Sequence, residues 1–504
     1  GYEATDREAR EKLHRRIAQH LSQSPSSSPG RIARHLEQAG ERDLAAESYL
    51  DAALAAIAVY SNREALRFFG KALILLPPED QDRRFRVHEG REQILRHLGR
   101  PHEQLRELEA MRSLAARGGG ARRRAIALLR FARFDLDNAR IGEVDDLLPQ
   151  ALEAARLAGD VKLELDALRL EAEMARNRGE PQRALEACDL ALERAGTDPE
   201  LLSPRASILV QKGILHRRMG HSDAAFEAYA EAIVIFRRLG IRPGEAFALN
   251  SLGVALAASG AYEDAIIVTR ASIHIDRETG DRLRLGRKLS NVGQLYDALG
   301  DTKRGLAFVK RALDVFEAVD DRAGRCDALA AVAEMMLDSG ADEQAITMAL
   351  DQAKRIAERL ASNYEIARER LVRTRLERAQ GHHGRAESAA RRALEAARAD
   401  GLVSYEVTAL CELAAALAEL GSADAIEVAR NAEGRFDGVH VERIEKVYLT
   451  LARAFATAGA VDESRALLAK ARHVLDTKAA LIRSSSMRRK YLESREAQAI
   501  RSEA

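Results

Sequence analysis

Apolar residues recur at i, i+3, i+4 and i+7 along most of the chain, as in Leu249, Leu252 and Leu256 or Leu289, Val292 and Tyr296. That spacing lays one apolar stripe along an α-helix. Each such stripe closes on a glycine, and a second helical stripe follows. Glycine at a helix end takes the left-handed backbone that other residues resist. The predicted unit is therefore helix, glycine turn, helix, and the fold class is all-α.

The unit repeats. The closing glycines are Gly99, Gly179, Gly220, Gly260, Gly300, Gly340, Gly381, Gly421 and Gly459, and from Gly220 to Gly340 each lies 40 residues after the last. The gap from Gly99 to Gly179 is two units long, with the missing member expected near Gly142. Small residues keep phase with these glycines. Gly213, Gly253, Gly293 and Ala333 lie seven before. Ala184, Ala225, Ala265, Gly305, Ala345 and Ala386 lie five after, and Ala191, Ala232, Ser272, Ala312 and Ala393 seven beyond those. Small residues in phase on two helices let their backbones approach where large side chains would clash. A second set of turns, "AGD" at 158–160, "LGI" at 239–241, "TGD" at 279–281, "VDD" at 319–321 and "DGL" at 400–402, separates the units.

This text resembles the tetratricopeptide repeat over residues 42–475, most closely over 206–340. Unit 206–245 carries Leu209, Gly213, Gly220, Ala225, Tyr229 and Ala232, and unit 46–79 carries Ala65, Phe69, Ala72 and Pro77. The usual period is about 34 residues. Here it is longer, no unit has the family's Trp, and no Pro follows Pro243. The departures match the long-period kinesin-light-chain and MalT-like subtypes. The resemblance implies a right-handed superhelical solenoid of antiparallel helix pairs, with first helices lining a concave groove. It also implies a non-catalytic scaffold that binds a protein or peptide there.

Four segments follow: an N-terminal helical junction at 1–41, repeat-like helix pairs at 42–120, the main solenoid at 121–475, and a C-terminal capping helix with a polar tail at 476–504 that is expected to fray. Gly118, Gly119 and Gly120 read as a flexible break, and Pro149 as a kink or restart. "SQSPSSSP" at 22–29 reads as a loop. The order "RRIA", "IARHLEQAGE", "AAESYLDAA" within Leu13–Pro77 is similar to the stretch after the ATPase module of bacterial STAND-type signalling proteins. That resemblance implies the sensor arm of a larger signalling ATPase or kinase. The chain does not begin with Met and reads as a piece of a longer protein. It contains no Walker motif and no kinase H-R-D or D-F-G set.

Composition narrows the function. The 504 residues carry a net charge of +1, so no global field draws the chain to nucleic acid or membrane. No apolar run approaches the ~20 residues that span a bilayer. Three cysteines, Cys188, Cys326 and Cys411, have neither disulfide nor metal spacing and suit a reducing cytoplasm. Cys188 reads as a small buried hydrophobe. His382 and His383 lie in a turn and read as solvated. No metal, cofactor or catalytic set is expected. The stretch 118–134, with Arg83, Arg84, Arg86 and Arg140, is locally basic and supports an alternative, a nucleic-acid-binding or transcription-regulatory repeat.

Helical counting within each first helix selects the positions that leave the core face and line the groove. These are Arg217, Phe247, Asn250, Ser251, Arg287, Ser290, Asn291, Gln294, Asp297, Glu334, Arg368 and Arg375. Asn250 and Asn291 are the centre, because a helix interior disfavours Asn and an amide can pair with an extended peptide backbone. Arg368, Arg375 and Arg378 form an arginine-rich end expected to favour a carboxylate-bearing segment.

Overall fold

The computed structural model describes residues 6–24, 28–58, 61–118, 120–138, 140–436, 439 and 441–503. They fall into two compact units, Gly1–Pro204 and Arg205–Ala504. Gly119 and residues 25–27 of the expected loop lie outside the described residues.

Amphipathic helices follow one another along the first unit: α1 (Arg7–Ser22), α2 (Pro29–Gln38), α3 (Arg42–Ala58), α4 (Asn62–Leu75), α5 (Gln81–His97), α6 (Pro101–Ala116), α7 (Gly120–Asp137), α8 (Ile141–Leu157), α9 (Val161–Asn177) and α10 (Pro181–Ala195). The missing turn glycine is not Gly142, which lies in the first turn of α8. The helix runs unbroken through Pro149 to Leu157. Cys188 is fully buried in α10.

The second unit opens with α11 (Leu202–Arg218), α12 (Ser222–Arg238), α13 (Arg242–Ala258), α14 (Tyr262–Thr279), α15 (Arg282–Ala298), α16 (Thr302–Ala318), α17 (Arg322–Asp338) and α18 (Glu343–Leu360). It continues with α19 (Asn363–Ala379), α20 (His383–Ala399), α21 (Val403–Glu419), α22 (Ala425–Glu433), α23 (Ile444–Thr457) and α24 (Val461–Leu481), and ends with α25 (Ser485–Glu493) and α26 (Arg495–Glu503). From α12 to α26 each helix packs on its chain neighbours within the unit, and first helices of adjacent pairs also touch, from α15 through α17, α19 and α21 to α23. Every closing glycine from Gly99 to Gly459 has a positive φ, as do Gly159, Gly240, Gly280 and Gly401 between pairs. In "VDD", Asp320 takes that backbone without being glycine. Asp281, Asp301 and Asp321 each accept a backbone N–H of the first turn of α15, α16 and α17. Those caps fix where successive helices start.

The in-phase small residues are the packing device. A Cβ on Gly213 would lie 2.6 Å from the Tyr229 ring, and one on Gly293 would lie 2.5 Å from Val309 and 2.8 Å from the Gly305 carbonyl oxygen. Gly305 returns the contact on the Gly293 carbonyl. At this point α15 and α16 touch backbone to backbone, beside the Val309 side chain.

The C-terminal end differs from the expected fraying tail. Tyr491 and Ile500 are buried, and one continuous apolar core runs from Tyr262 to Ile500. The end of α24 and the residues after it turn back onto the starts of α14 and α16. Lys478 Nζ donates to the Tyr262 hydroxyl at 3.0 Å, the Arg483 backbone N–H donates to Glu263 at 2.9 Å, and Lys490 pairs with Asp301 at 2.6 Å. Those partners lie about two hundred residues earlier in sequence, so the second unit closes on itself.

Overpacking a filled core costs about 1–3 kcal/mol. Gly293→Ala is expected to lose stability in that range by urea denaturation, because the opposing atoms include backbone. Gly340→Ala meets nothing within 4 Å, so its loss reflects only the positive-φ turn.

Candidate functional site

First helices of the second unit surround a cavity of about 420 Å³. Its wall takes residues from α11, α13, α15, α17, α19, α21 and α23, with Tyr262 and Thr269 from α14, Lys478 from α24, and Val439, Val441, Glu442 and Arg443. Seven consecutive first helices thus face one space.

Residues one repeat apart on stacked helices are neighbours, and here they alternate in charge. Arg375 of α19 reaches back to Glu334 at 2.7 Å and Asp338 at 2.5 Å on α17. Arg378 reaches forward to Glu412 at 2.6 Å and Glu419 at 2.8 Å on α21. Arg368 pairs with Asp327 at 3.3 Å and Glu334 at 3.5 Å. The ladder is then bridged across the groove. Arg443, just before α23, meets Asp297 of α15 at 3.0 Å, and Lys446 meets Asp338 at 2.7 Å. Arg443 holds a positive φ without being glycine, a conformation of small but real cost.

Burial and charge compete at these groups. Burial pushes the Glu334 carboxyl up, but Lys446, Arg368 and Arg375 outweigh it and hold it below the usual range. Asp338 behaves alike, with Arg375, Lys446 and Arg443 opposing burial. Asp297 goes the other way: burial dominates Arg443 and raises it. Cys411 also lines the cavity, and burial pushes its thiol well up.

The structure brings Arg217, Asn291, Gln294, Asp297, Glu334, Arg368 and Arg375 to the cavity wall. It does not bring the other five there. Phe247 is exposed outside the cavity, and Arg287 points to Asp321 at 3.8 Å. Ser251 and Ser290 are buried, Ser251 donating to the Phe247 carbonyl at 3.0 Å and Ser290 accepting from Gln294 at 3.4 Å. Asn250 lies off the wall, its Oδ1 buried with no hydrogen-bond partner among the described residues. The central pair of asparagines is thus reduced to Asn291. The arginine-rich end is not an open cationic patch either, because carboxylates one repeat away already pair with Arg368, Arg375 and Arg378.

Arg443, Lys446, Glu412, Tyr405 and Lys478 were missed. Glu412 and Lys446 continue the helical count into the last two first helices. Arg443 and Lys478 come from a loop and a second helix, where the count gives no guidance.

The basic N-terminal stretch is largely internally paired. Arg83 meets Asp80 at 2.6 Å and also Asp43, Arg84 donates to the Leu73 and Leu76 carbonyls, and Arg122, Arg123, Arg130 and Arg133 pair with Asp160, Asp82, Glu89 and Glu173. Arg140 lies over the Phe134 ring. These pairs disfavour the nucleic-acid alternative. His382 and His383 face Glu377 and Glu419 at 3.1 and 2.9 Å. No helix among the described residues is long and apolar enough to cross a membrane.

No family model matches the chain, and no curated protein does. Among solved structures, the apo form of RapI superposes with a TM-score of 0.50 at 12% identity, over 70% of this chain and 97% of its own. The fold is a tetratricopeptide-repeat solenoid. A STAND protein with a tetratricopeptide repeat sensor from Pyrococcus horikoshii gives 0.46 at 15% identity over 70% of this chain and 53% of its own, so the chain spans about half the length of that protein. BtubC (BKLC) from P. vanneervenii is 22% identical over 44% of this chain and 91% of its own, with a TM-score of 0.38. At these identities the likeness concerns the fold alone.

The depressed carboxyls of this solenoid set its acid behaviour. A group whose pKa falls on folding contributes stability above its unfolded value, lost as pH drops through the folded one. Glu334 therefore stabilises above its ordinary value of 4.5, and Asp297, being raised, partly offsets the loss on acidification. Glu334→Gln is expected to be less stable than wild type near neutrality, because it strands its cations. It should also lose less stability from about pH 5 to about pH 2, read by denaturant melts across that range.

Proposed function

We propose that the chain is a non-catalytic scaffold that binds a protein or peptide in the groove of its second unit. The observation that carries this is the cavity shared by seven successive first helices, with Asn291, Gln294, Ser404 and Thr408 offering hydrogen bonds beside apolar Val254, Ala257, Ala258 and Leu371. A few polar groups on a mostly preformed apolar wall orient a ligand without reacting with it. Most charged wall residues pair with carboxylates or cations of neighbouring helices, and burial pushes the Cys411 thiol well up, which supports binding rather than reaction. The larger setting we propose is the sensor or interaction arm of a bacterial signalling protein, with an ATPase or kinase module on the same parent chain, working in the cytoplasm. The junction-like text of Leu13–Pro77 supports that setting.

Peptides selected from a random display library on the full chain test the groove. Val254→Trp and Asn291→Arg fill or charge the wall, and each should weaken selected peptides about tenfold, ~1.4 kcal/mol. Val234→Glu, on the exposed face of α12, should leave them unchanged. Equal binding by the wall variants, with loss in the α12 variant, would move the site to the outer face.

A further inference from the structure

The last helix of the chain sits where a partner would find charge to pair with. Glu496 of α26 reaches Lys446 at 2.8 Å and also pairs with Arg443. Both cations line the cavity. One helical surface further along, Glu503 takes two hydrogen bonds from Arg453 of α23, at 3.1 and 2.5 Å. Between these acidic anchors, Ala497 and Ile500 are buried in the second unit's core. Arg501 adds a weak pairing with Asp476 of α24 at 3.5 Å. Burial pushes Glu496 up, yet Arg443 and Lys446 outweigh it and hold its carboxyl below the usual range.

The attachment is small. The helices α25 and α26 have nine residues each, and bury one and two side chains respectively. By contrast α21 buries eleven. An isolated helix shorter than about 12–15 residues is marginal in water. These two therefore persist only while docked, and segments with few buried contacts open at lowest cost. Extended backbone at Ile482 and Ser484, and again at Ser494, leaves each helix joined by a short non-helical link.

We propose that the face carrying Arg443, Lys446 and Arg453, with the apolar seat that takes Ala497 and Ile500, is a docking surface for a short acidic amphipathic helix of the pattern Glu-Ala-x-x-Ile-x-x-Glu. The resident occupant is α26, and a partner helix of the same chemistry displaces it. Spacings of four and seven residues put Glu496, Ile500 and Glu503 on one face, and Ala497, three residues before Ile500, borders it, while charge complementarity at both ends selects an acidic occupant over a basic one. Displacement would also free Arg443 and Lys446, which hold α23 across the groove to Asp297 and Asp338. A partner at this surface thereby changes the cavity wall. That last consequence rests on the groove reading, while the docking surface does not.

The full chain with Glu496→Arg and Glu503→Arg provides the test. Hydrogen exchange over 485–503 should accelerate at least about tenfold while α13–α21 keep their protection. A fluorescent peptide of residues 482–503 should then bind the variant at least about tenfold more tightly than it binds wild type, whose seat is filled. The same peptide bearing both arginine changes should bind neither. Unchanged exchange, or equal peptide binding to wild type and variant, would show α26 to be a fixed part of the core. A dimer of the wild-type chain that exchanges this segment between copies would make a second copy the occupant and overturn the choice of a foreign helix. If the double variant loses its helical circular dichroism, Glu496→Gln is read by the same criteria. Library peptides that ignore Val254→Trp would sink the groove reading while leaving this result intact.

Discussion

Everything in the second unit depends on how closely two helices approach within a pair. At Gly293 and Gly305 the limit is reached, with each backbone carbonyl lying where the other residue's side chain would be. That approach sets the thickness of a pair. Repeated every 40 residues, it sets how first helices line up beside one another. Only because the first helices are adjacent can Arg375 reach both Glu334 and Asp338. A helix pair that could not close this tightly would still be amphipathic, but it would not bring charges one repeat apart within pairing distance.

The charge ladder does work that apolar stacking cannot. Apolar faces stack without direction, and a solenoid built only on them grows without a natural end. Arg443 and Lys446 instead connect α23 to α15 and α17, more than a hundred residues back in sequence. Buried ion pairs repay their desolvation only with good geometry, so they are weak evidence of stability. Here they join α23 to the first helices that face it across the cavity. The turned-back C-terminal segment makes the same choice a second time, through Lys478 on Tyr262 and Arg483 on Glu263.

The periodic part of this structure was legible in the sequence because each repeated feature has one physical cause. A glycine at each turn reports a positive φ, and a small residue in phase reports close approach. Where the period carried no information, reading failed. Gly142 looked like a turn glycine by count, yet the described residues place it inside α8. Helical counting placed Asn291, Gln294 and Asp297 on the cavity wall, but it also placed Ser251 and Ser290 there. Those two are buried within their own helices, Ser251 on the Phe247 carbonyl and Ser290 beside Gln294. The polar tail looked solvated because its few apolar residues, Tyr491, Ala497 and Ile500, are too sparse to form a stripe. Tyr491 packs beside Tyr262, and Ala497 and Ile500 join the same core, which no local window includes.

The arginines carry the sharpest lesson. Read along α19 alone, Arg368, Arg375 and Arg378 look like a cationic patch awaiting an acidic ligand. Read across helices at one-repeat spacing, Glu334 stands 41 residues before Arg375 and Glu419 stands 41 after Arg378. In a solenoid the relevant neighbour of a charge is not the residue four along, but the one a full period away. Applied to α23, the same rule leaves Arg443 and Lys446 with no later first helix among the described residues to supply a carboxylate. The structure fills that position with Glu496, from outside the repeat pattern. The end of a charge ladder is the natural place for an exchangeable occupant, because nothing in the period provides a permanent one.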